Sequence, residues 1–338
     1  MKTFVIAGKH QVYFEEVPEP EINGTHDVKV RVKACGICGT DNHIFEGEHD
    51  MSRGQLRIPG HEFAGVVVET GSEVSSVAVG DRVVHEPICY CGTCYACRNQ
   101  QGNVCANVQV SGCNMSGGWQ EYYVADEKQW HHIPDWMTWD LAAMVEPYTI
   151  AAQVCTRAEL KPDDVVLIHG GGPIGLMVGD TAGHLGAKVI LTEILEGRIK
   201  LAKEIGINHV IDASSLNVKE EVMKITNGEG PNVVLDCAGL PQMAEEALEI
   251  LTPAGRFVPV AASNFVCNGR LIHRKQLKII GSRLQMNQFQ PVLARFGLYR
   301  ENALKLITHR YSFEESKEAF GFASERQPNT GKVVVLFS

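Results

Sequence analysis

Two textures of apolar positions divide this chain. In the first half, Lys2–Ile6, Gln11–Glu16, Asp27–Ala34, Phe63–Glu69 and Arg82–His85 are short runs of β-branched or alternating residues, separated by proline and glycine. A period of two predicts strands with one buried face. The turn signals GSE and VGD lie between the last two. From about Pro162 the pattern changes, and Val165–His169, Lys188–Thr192, His209–Ile211, Val233–Asp236, Arg256–Val260 and Lys278–Ile280 read as six short strands. Ile174–Leu185, Gly197–Ile205 and Met243–Leu251, lying between some of them, carry apolar residues at helical spacing. Apolar strands alternating with helices predict a doubly wound parallel sheet. The alternation stops after about Gln288, and Lys332–Phe337 predicts a closing strand. The expected organisation is a β-rich domain over residues 1–149, an α/β domain over 150–287, and a return to the first domain over 288–338.

Composition narrows the function class. Of the 338 residues, 44% are hydrophobic and 21% charged, as in an ordinary globular enzyme. The formal charge of −9 argues against binding a nucleic-acid backbone or an anionic membrane, both of which select clustered Lys and Arg. No apolar stretch has membrane-spanning length, and the start, MKTFVIAGKH, has too short an apolar run for a secretory leader. Eleven cysteines are an odd number, and seven of them are dispersed. They suggest no disulfide framework, so a reducing, cytoplasmic setting is expected.

The other four cysteines, Cys91, Cys94, Cys97 and Cys105, follow the spacing C-x2-C-x2-C-x7-C. Four thiolates this close in sequence suit the tetrahedral, closed cage of a structural zinc. Such a cage folds a loop and has no open position for chemistry.

The strand VVLIHG runs directly into GGGPIGL. Gly170, Gly172 and Gly175 form G-x-G-x-x-G, with Pro173 and Ile174 completing the turn into a predicted helix. The glycines allow a tight turn, close approach of a pyrophosphate and close helix packing, and the helix N-terminus favours the anion. Glu193 follows the next strand, where a carboxylate accepts bonds from an adenosine ribose and repels a 2′-phosphate, predicting NAD over NADP. Arg198 follows several residues later, in or near the next helix.

Two further stretches carry metal-ligand types: ACGICGTDNH, with Cys35, Cys38 and His43, and PGHEF, with His61 and Glu62. A catalytic zinc takes about three protein ligands and keeps one open position. Cys38, His61 and Glu62 would supply sulfur, nitrogen and oxygen. From the residues alone, Cys35 and Cys38 also read as a redox pair or as buried thiols.

Together these motifs resemble the zinc-dependent medium-chain dehydrogenases, the family of alcohol, sorbitol and threonine dehydrogenases. The resemblance covers essentially the whole chain and rests on ICGTD at Ile37–Asp41, GHE at Gly60–Glu62, the four-cysteine lobe and GGGPIG, in the family's order. It implies a GroES-like β-barrel catalytic domain joined to a Rossmann domain, with Zn²⁺ and NAD as cofactors. It also implies that Cys38, rather than Cys35, is the zinc ligand with His61 and Glu62. Glu146, in VEPYTIA, stands where polyol dehydrogenases carry a glutamate, an optional ligand exchanging with water. Thr40 matches the hydroxyl that touches the substrate oxygen, His43 the solvent end of a proton relay, and Lys332 a basic contact to the cofactor pyrophosphate.

The activity implied is hydride transfer between NAD and a secondary alcohol, with a small alcohol or ketone as substrate and a homo-oligomer, dimer or tetramer, as the assembly. The glutamate ligands, IIGSR at Ile279–Arg283 and the late THRYSFEES resemble polyol and sugar-acid dehydrogenases, and ICGTDNH also fits threonine dehydrogenases. Arg283 could face substrate, cofactor or a neighbouring subunit. A regulatory or nucleic-acid-binding protein with the lobe as a finger is the contrasting class. The negative charge opposes it, as does the lack of basic and aromatic residues flanking the lobe.

Overall fold

The computed structural model describes residues 1–48, 58–325 and 327–338. The chain divides into two compact units: Met1–Glu146 with Phe289–Ala294 and Ile307–Ser338, and Pro147–Gln288 with Arg295–Leu306.

In the first unit the long strand Asp27–Ile37 is central. Its neighbours are Glu62–Thr70 and Lys332–Leu336, both antiparallel, and Tyr122–Asp126 also pairs with it. Ile307–Ser312, Arg82–His85 and Trp130–His132 complete this sheet. The predicted strands at Gln11–Glu16 and Arg82–His85 have the expected bounds, and Asp27–Ala34 runs on to Ile37. The buried faces enclose Phe4, Phe63, Trp119, Trp130, Phe313, Phe320 and Phe337. Register decides function here. Gly36 pairs with Glu62 on one side and Val334 on the other, and the side chains of Glu62 and Lys332 both reach over that glycine.

The second unit is a six-stranded parallel sheet. Its order is His209–Asp212, Lys188–Glu193, Val165–His169, Val233–Asp236, Arg256–Pro259, Lys278–Ile279. Val166, Leu167, Ile168 and His169 are all buried, as expected for a parallel strand covered on both faces. The strand order reverses between Val165–His169 and Val233–Asp236, the crevice where doubly wound sheets bind ligands. The glycine turn opens the helix Pro173–His184 directly above this point, with Gly172 as N-cap and Pro173 in the first turn. His169 hydrogen-bonds Thr192 on the adjacent strand through Nδ1, and its Nε2 is buried without a partner.

Helices at Val145–Arg157, Val218–Ile225, Gly269–Lys275 and Phe289–Leu306 were not marked by the apolar pattern. Phe289–Leu306 mixes aromatic, basic and polar residues, which blurs its stripe. Among the described residues no helix is long and apolar enough to cross a membrane.

Candidate functional site

Three elements bring the first metal set together. Cys38 caps the short helix Gly39–Phe45, its Sγ accepting from the Thr40 amide at 3.1 Å. Asp41, fully buried, accepts from the Cys38 amide at 2.9 Å and the Gly60 amide at 3.2 Å. That carboxylate ties the Cys38 turn to the segment carrying His61. Glu62 follows as the first residue of its strand. Ligand atoms of Cys38, His61 and Glu62 lie within 4.8 Å of one another.

The electrostatics of this set call for a cation. Burial, then the Asp41 charge, pushes the Cys38 thiol up to about 12. Glu62 is 1% exposed; Oε1 receives the Lys332 ammonium at 2.5 Å, while Oε2 is buried and unpaired. A buried carboxylate oxygen with no donor is costly. A divalent ion among sulfur, nitrogen and oxygen donors would hold the thiolate and satisfy Oε2, and this mixed set suits zinc. Glu146 is buried on the first turn of Val145–Arg157, outside the set of mutually close ligand atoms. Burial pushes it up to about 7, against the pull of His61.

The other expected residues are placed as follows. Thr40 is half-buried in the first turn of that helix, two residues after Cys38. His43 is exposed on the same helix, with Nδ1 2.7 Å from Glu48. Lys332, expected at a pyrophosphate, has a different partner: its side chain is 3% exposed and engaged with Glu62. Burial alone would lower the Lys332 pKa, but Glu62 raises it. Two neighbours had no role assigned from sequence. Asp41 sits three residues after Cys38, the spacing of a capping box, and that signal was legible. Cys113, whose Sγ is 3.7 Å from His61 Nδ1, carries no spacing signal.

The second set is the lobe. Sulfur–sulfur separations are 3.5 Å for Cys94–Cys97 and Cys91–Cys105, 3.8 Å for Cys94–Cys105 and 4.0 Å for Cys91–Cys97. A tetrahedron with Zn–S bonds of about 2.3 Å has edges of about 3.8 Å. The lobe therefore already has the dimensions of a zinc cage, and its cysteines form no disulfide.

In the parallel unit, Gly170 has φ +91°, open only to glycine at low cost. A Cβ at Gly175 would sit 2.0 Å from the Gly170 carbonyl oxygen. No side chain caps the helix Pro173–His184, so its first amides remain available to an anion. Glu193 accepts from the amides of Gly171, Ile194 and Leu195 at 2.9, 2.7 and 3.0 Å. Arg198 lies in the helix Glu196–Glu204 with Nη1 3.9 Å from Glu193. The acidic and basic residues singled out near this turn thus meet as one pair.

The chain is similar to known proteins along its length. Residues 24–135 match the alcohol dehydrogenase GroES-like domain, and residues 173–297 the zinc-binding dehydrogenase family. The chain is similar to a sorbitol dehydrogenase of Halalkalibacterium halodurans, 33% identical over 90% of each chain. It is also similar to an L-threonine 3-dehydrogenase of Rhizobium johnstonii, 33% identical over 96% of this chain and 94% of the relative. The crystal structure of a short chain alcohol dehydrogenase (rspB) from Escherichia coli CFT073, complexed with NADH, has a TM-score of 0.90 and 33% identity, covering 100% of this chain and 99% of that one.

Proposed function

The chain belongs to the zinc-binding, GroES-like alcohol dehydrogenases, and we propose that within this family it moves hydride between NAD and a secondary alcohol of a polyol or sugar acid, for example an aldonate oxidised at carbon 5. The observation that carries the reading is the buried Cys38–His61–Glu62 set with its unpaired carboxylate oxygen. When bound, zinc supplies a Lewis acid for an alcohol or carbonyl oxygen, and NAD supplies the hydride acceptor.

The chain's own residues have separable tasks. Cys38, His61 and Glu62 hold the metal, with Glu146 as an optional oxygen donor that exchanges with water. Thr40 holds the substrate hydroxyl and relays its proton, giving up its own hydroxyl proton as it accepts that one. His43, exposed to solvent on the same helix, receives that proton and releases it to water; a positioned acid–base group of this kind contributes about 10²–10⁴-fold. Gly170, Gly172, Pro173, Ile174 and Gly175 receive the pyrophosphate, and Glu193 the adenosine ribose. Cys91, Cys94, Cys97 and Cys105 hold a second, structural zinc.

L-Threonine 3-dehydrogenase activity is the second reading, favoured by ICGTDNH and by the Rhizobium relative. A screen for NADH formation over polyols, aldonates and amino-acid alcohols decides between them, run beside Cys38→Ala. We expect turnover with a polyol or aldonate in the wild type and none in the variant, which should still bind NAD. Normal kcat in Cys38→Ala would remove Cys38 from the ligand set and make Cys35 the candidate.

A further inference from the structure

Cys113 belongs to neither metal set, yet its sulfur is 3.7 Å from Nδ1 of His61. The contact is built, not incidental. The segment carrying Cys113 is laced to the segment carrying His61 by backbone hydrogen bonds: Gly117 to Ile58, Gly118 to Gly60 and Trp119 to Pro59, at 2.8, 2.8 and 3.2 Å. Two glycines make that approach possible. A Cβ at Gly112 would lie 2.5 Å from the Gly60 backbone, and one at Gly117 would lie 2.2 Å from the Gly60 carbonyl oxygen. Gly112 also takes φ +75°, which turns the chain so that Cys113 follows directly against His61. On the other side, Asp41 holds the Gly60 amide. The backbone leading into His61 is therefore gripped from both flanks at Gly60, and Cys113 is the side chain that meets its ring.

We propose that Cys113 is a positioning residue for His61, accepting the Nδ1–H hydrogen bond so that the ring presents Nε2 to the metal. A histidine has two ring nitrogens, and the bond made by one selects the tautomer and the ligand atom of the other. Metal-bound histidines usually donate to a carboxylate, a carbonyl or water. Here the acceptor is sulfur. The Asp41 carboxylate accepts from the backbone amides of Cys38 and Gly60, and the partner at Nδ1 of His61 is Cys113. The inference rests on the zinc reading of Cys38, His61 and Glu62 given above.

Zinc affinity of the full chain, measured by chelator competition from the metal-free protein, tests it, with the lobe as an internal reference. Wild type should bind two zinc ions. Cys113→Ala should weaken one of the two sites about 10–100-fold, the range for loss of such partners, and leave the other unchanged. Cys113→Ser keeps an acceptor of similar size and should recover most of that loss. Melting of the metal-free variants should match the wild type. Two zinc ions held by Cys113→Ala with unaltered affinities would overturn the inference alone. A Cys113→Ser chain as weak as Cys113→Ala would also overturn it, because packing rather than the acceptor would then be at work. Complete loss of the second zinc in both variants would make Cys113 a ligand, not a positioning residue. A wild type holding a single zinc would overturn the metal reading itself, and this inference with it.

Discussion

Lys332 and Glu62 form a buried ion pair, Nζ to Oε1 at 2.5 Å, with the two side chains 3% and 2% exposed. The strand between them supplies only Gly36. A Cβ there would lie 2.2 Å from Glu62 Oε2 and 3.2 Å from Lys332 Cε. The missing side chain is what lets two strands that do not touch exchange charge. It also sets the state of the candidate metal site, because the ammonium occupies one carboxylate oxygen and leaves the other for a cation.

Removing the ammonium should be costly and should depend on metal. Lys332→Met leaves Glu62 buried without its partner, a change of about 3–5 kcal/mol for pairs of this kind. We expect that loss in chelator-treated protein, read from the denaturant midpoint, and a smaller loss after zinc is restored, since the metal supplies positive charge to the same carboxylate. Equal losses in both states would mean that zinc does not reach Glu62.

The lobe gives a prediction about folding rather than chemistry. Cys94→Ser leaves three sulfurs where the tetrahedron needs four. Structural zinc sites contribute about 10–16 kcal/mol in small peptides, and the effect on a lobe within a large unit should be much smaller. Metal analysis should show the loss of one zinc per chain, with a lower melting temperature. Unchanged zinc content and melting would remove the lobe assignment.

Glu193 should govern cofactor choice. Its carboxylate sits on the glycine turn and is paired with Arg198. Glu193→Ala deletes the acceptor for a ribose hydroxyl and frees the guanidinium for a 2′-phosphate. NAD should weaken relative to NADP by about 1–3 kcal/mol, the range for a charge-assisted hydrogen bond. Steady-state kinetics with both cofactors would measure it. A wild type that prefers NADP would show that other contacts outweigh Glu193.

Acid should act through His169. Burial lowers its pKa from 6.5 to about 4. The folded chain therefore keeps this ring neutral, while the unfolded chain takes up a proton as pH falls below about 6.5. The contribution of this ring to stability should be lost between pH 6.5 and 4, about 3 kcal/mol in all at about 1.4 kcal/mol per pH unit. His169→Gln, which keeps a polar group beside Thr192, should flatten this part of the melting curve against pH. A variant with the same acid sensitivity as wild type would assign the effect to other groups.

The chain's local chemistry was legible without coordinates. The lobe lies within 15 residues, Cys91 to Cys105, and the glycine turn within six, Gly170 to Gly175, so spacing alone brings their atoms together. Strands such as Val165–His169 and Val233–Asp236 were equally plain, because a parallel strand buried on both faces must be continuously apolar. The alternation of strands and helices carried the parallel unit, and four motifs in one order carried the family. What tertiary structure alone decided was pairing at a distance. Lys332 meets Glu62 across 270 residues of chain, and Cys113 meets His61 across 52. Neither follows from residue type, since a lysine near a cofactor motif and a cysteine in a glycine-rich loop have no intrinsic partner. Strand register and the absence of a Cβ at Gly36, Gly112 and Gly117 select those partners. Those are properties of backbones in contact, which a pattern read along one chain does not contain.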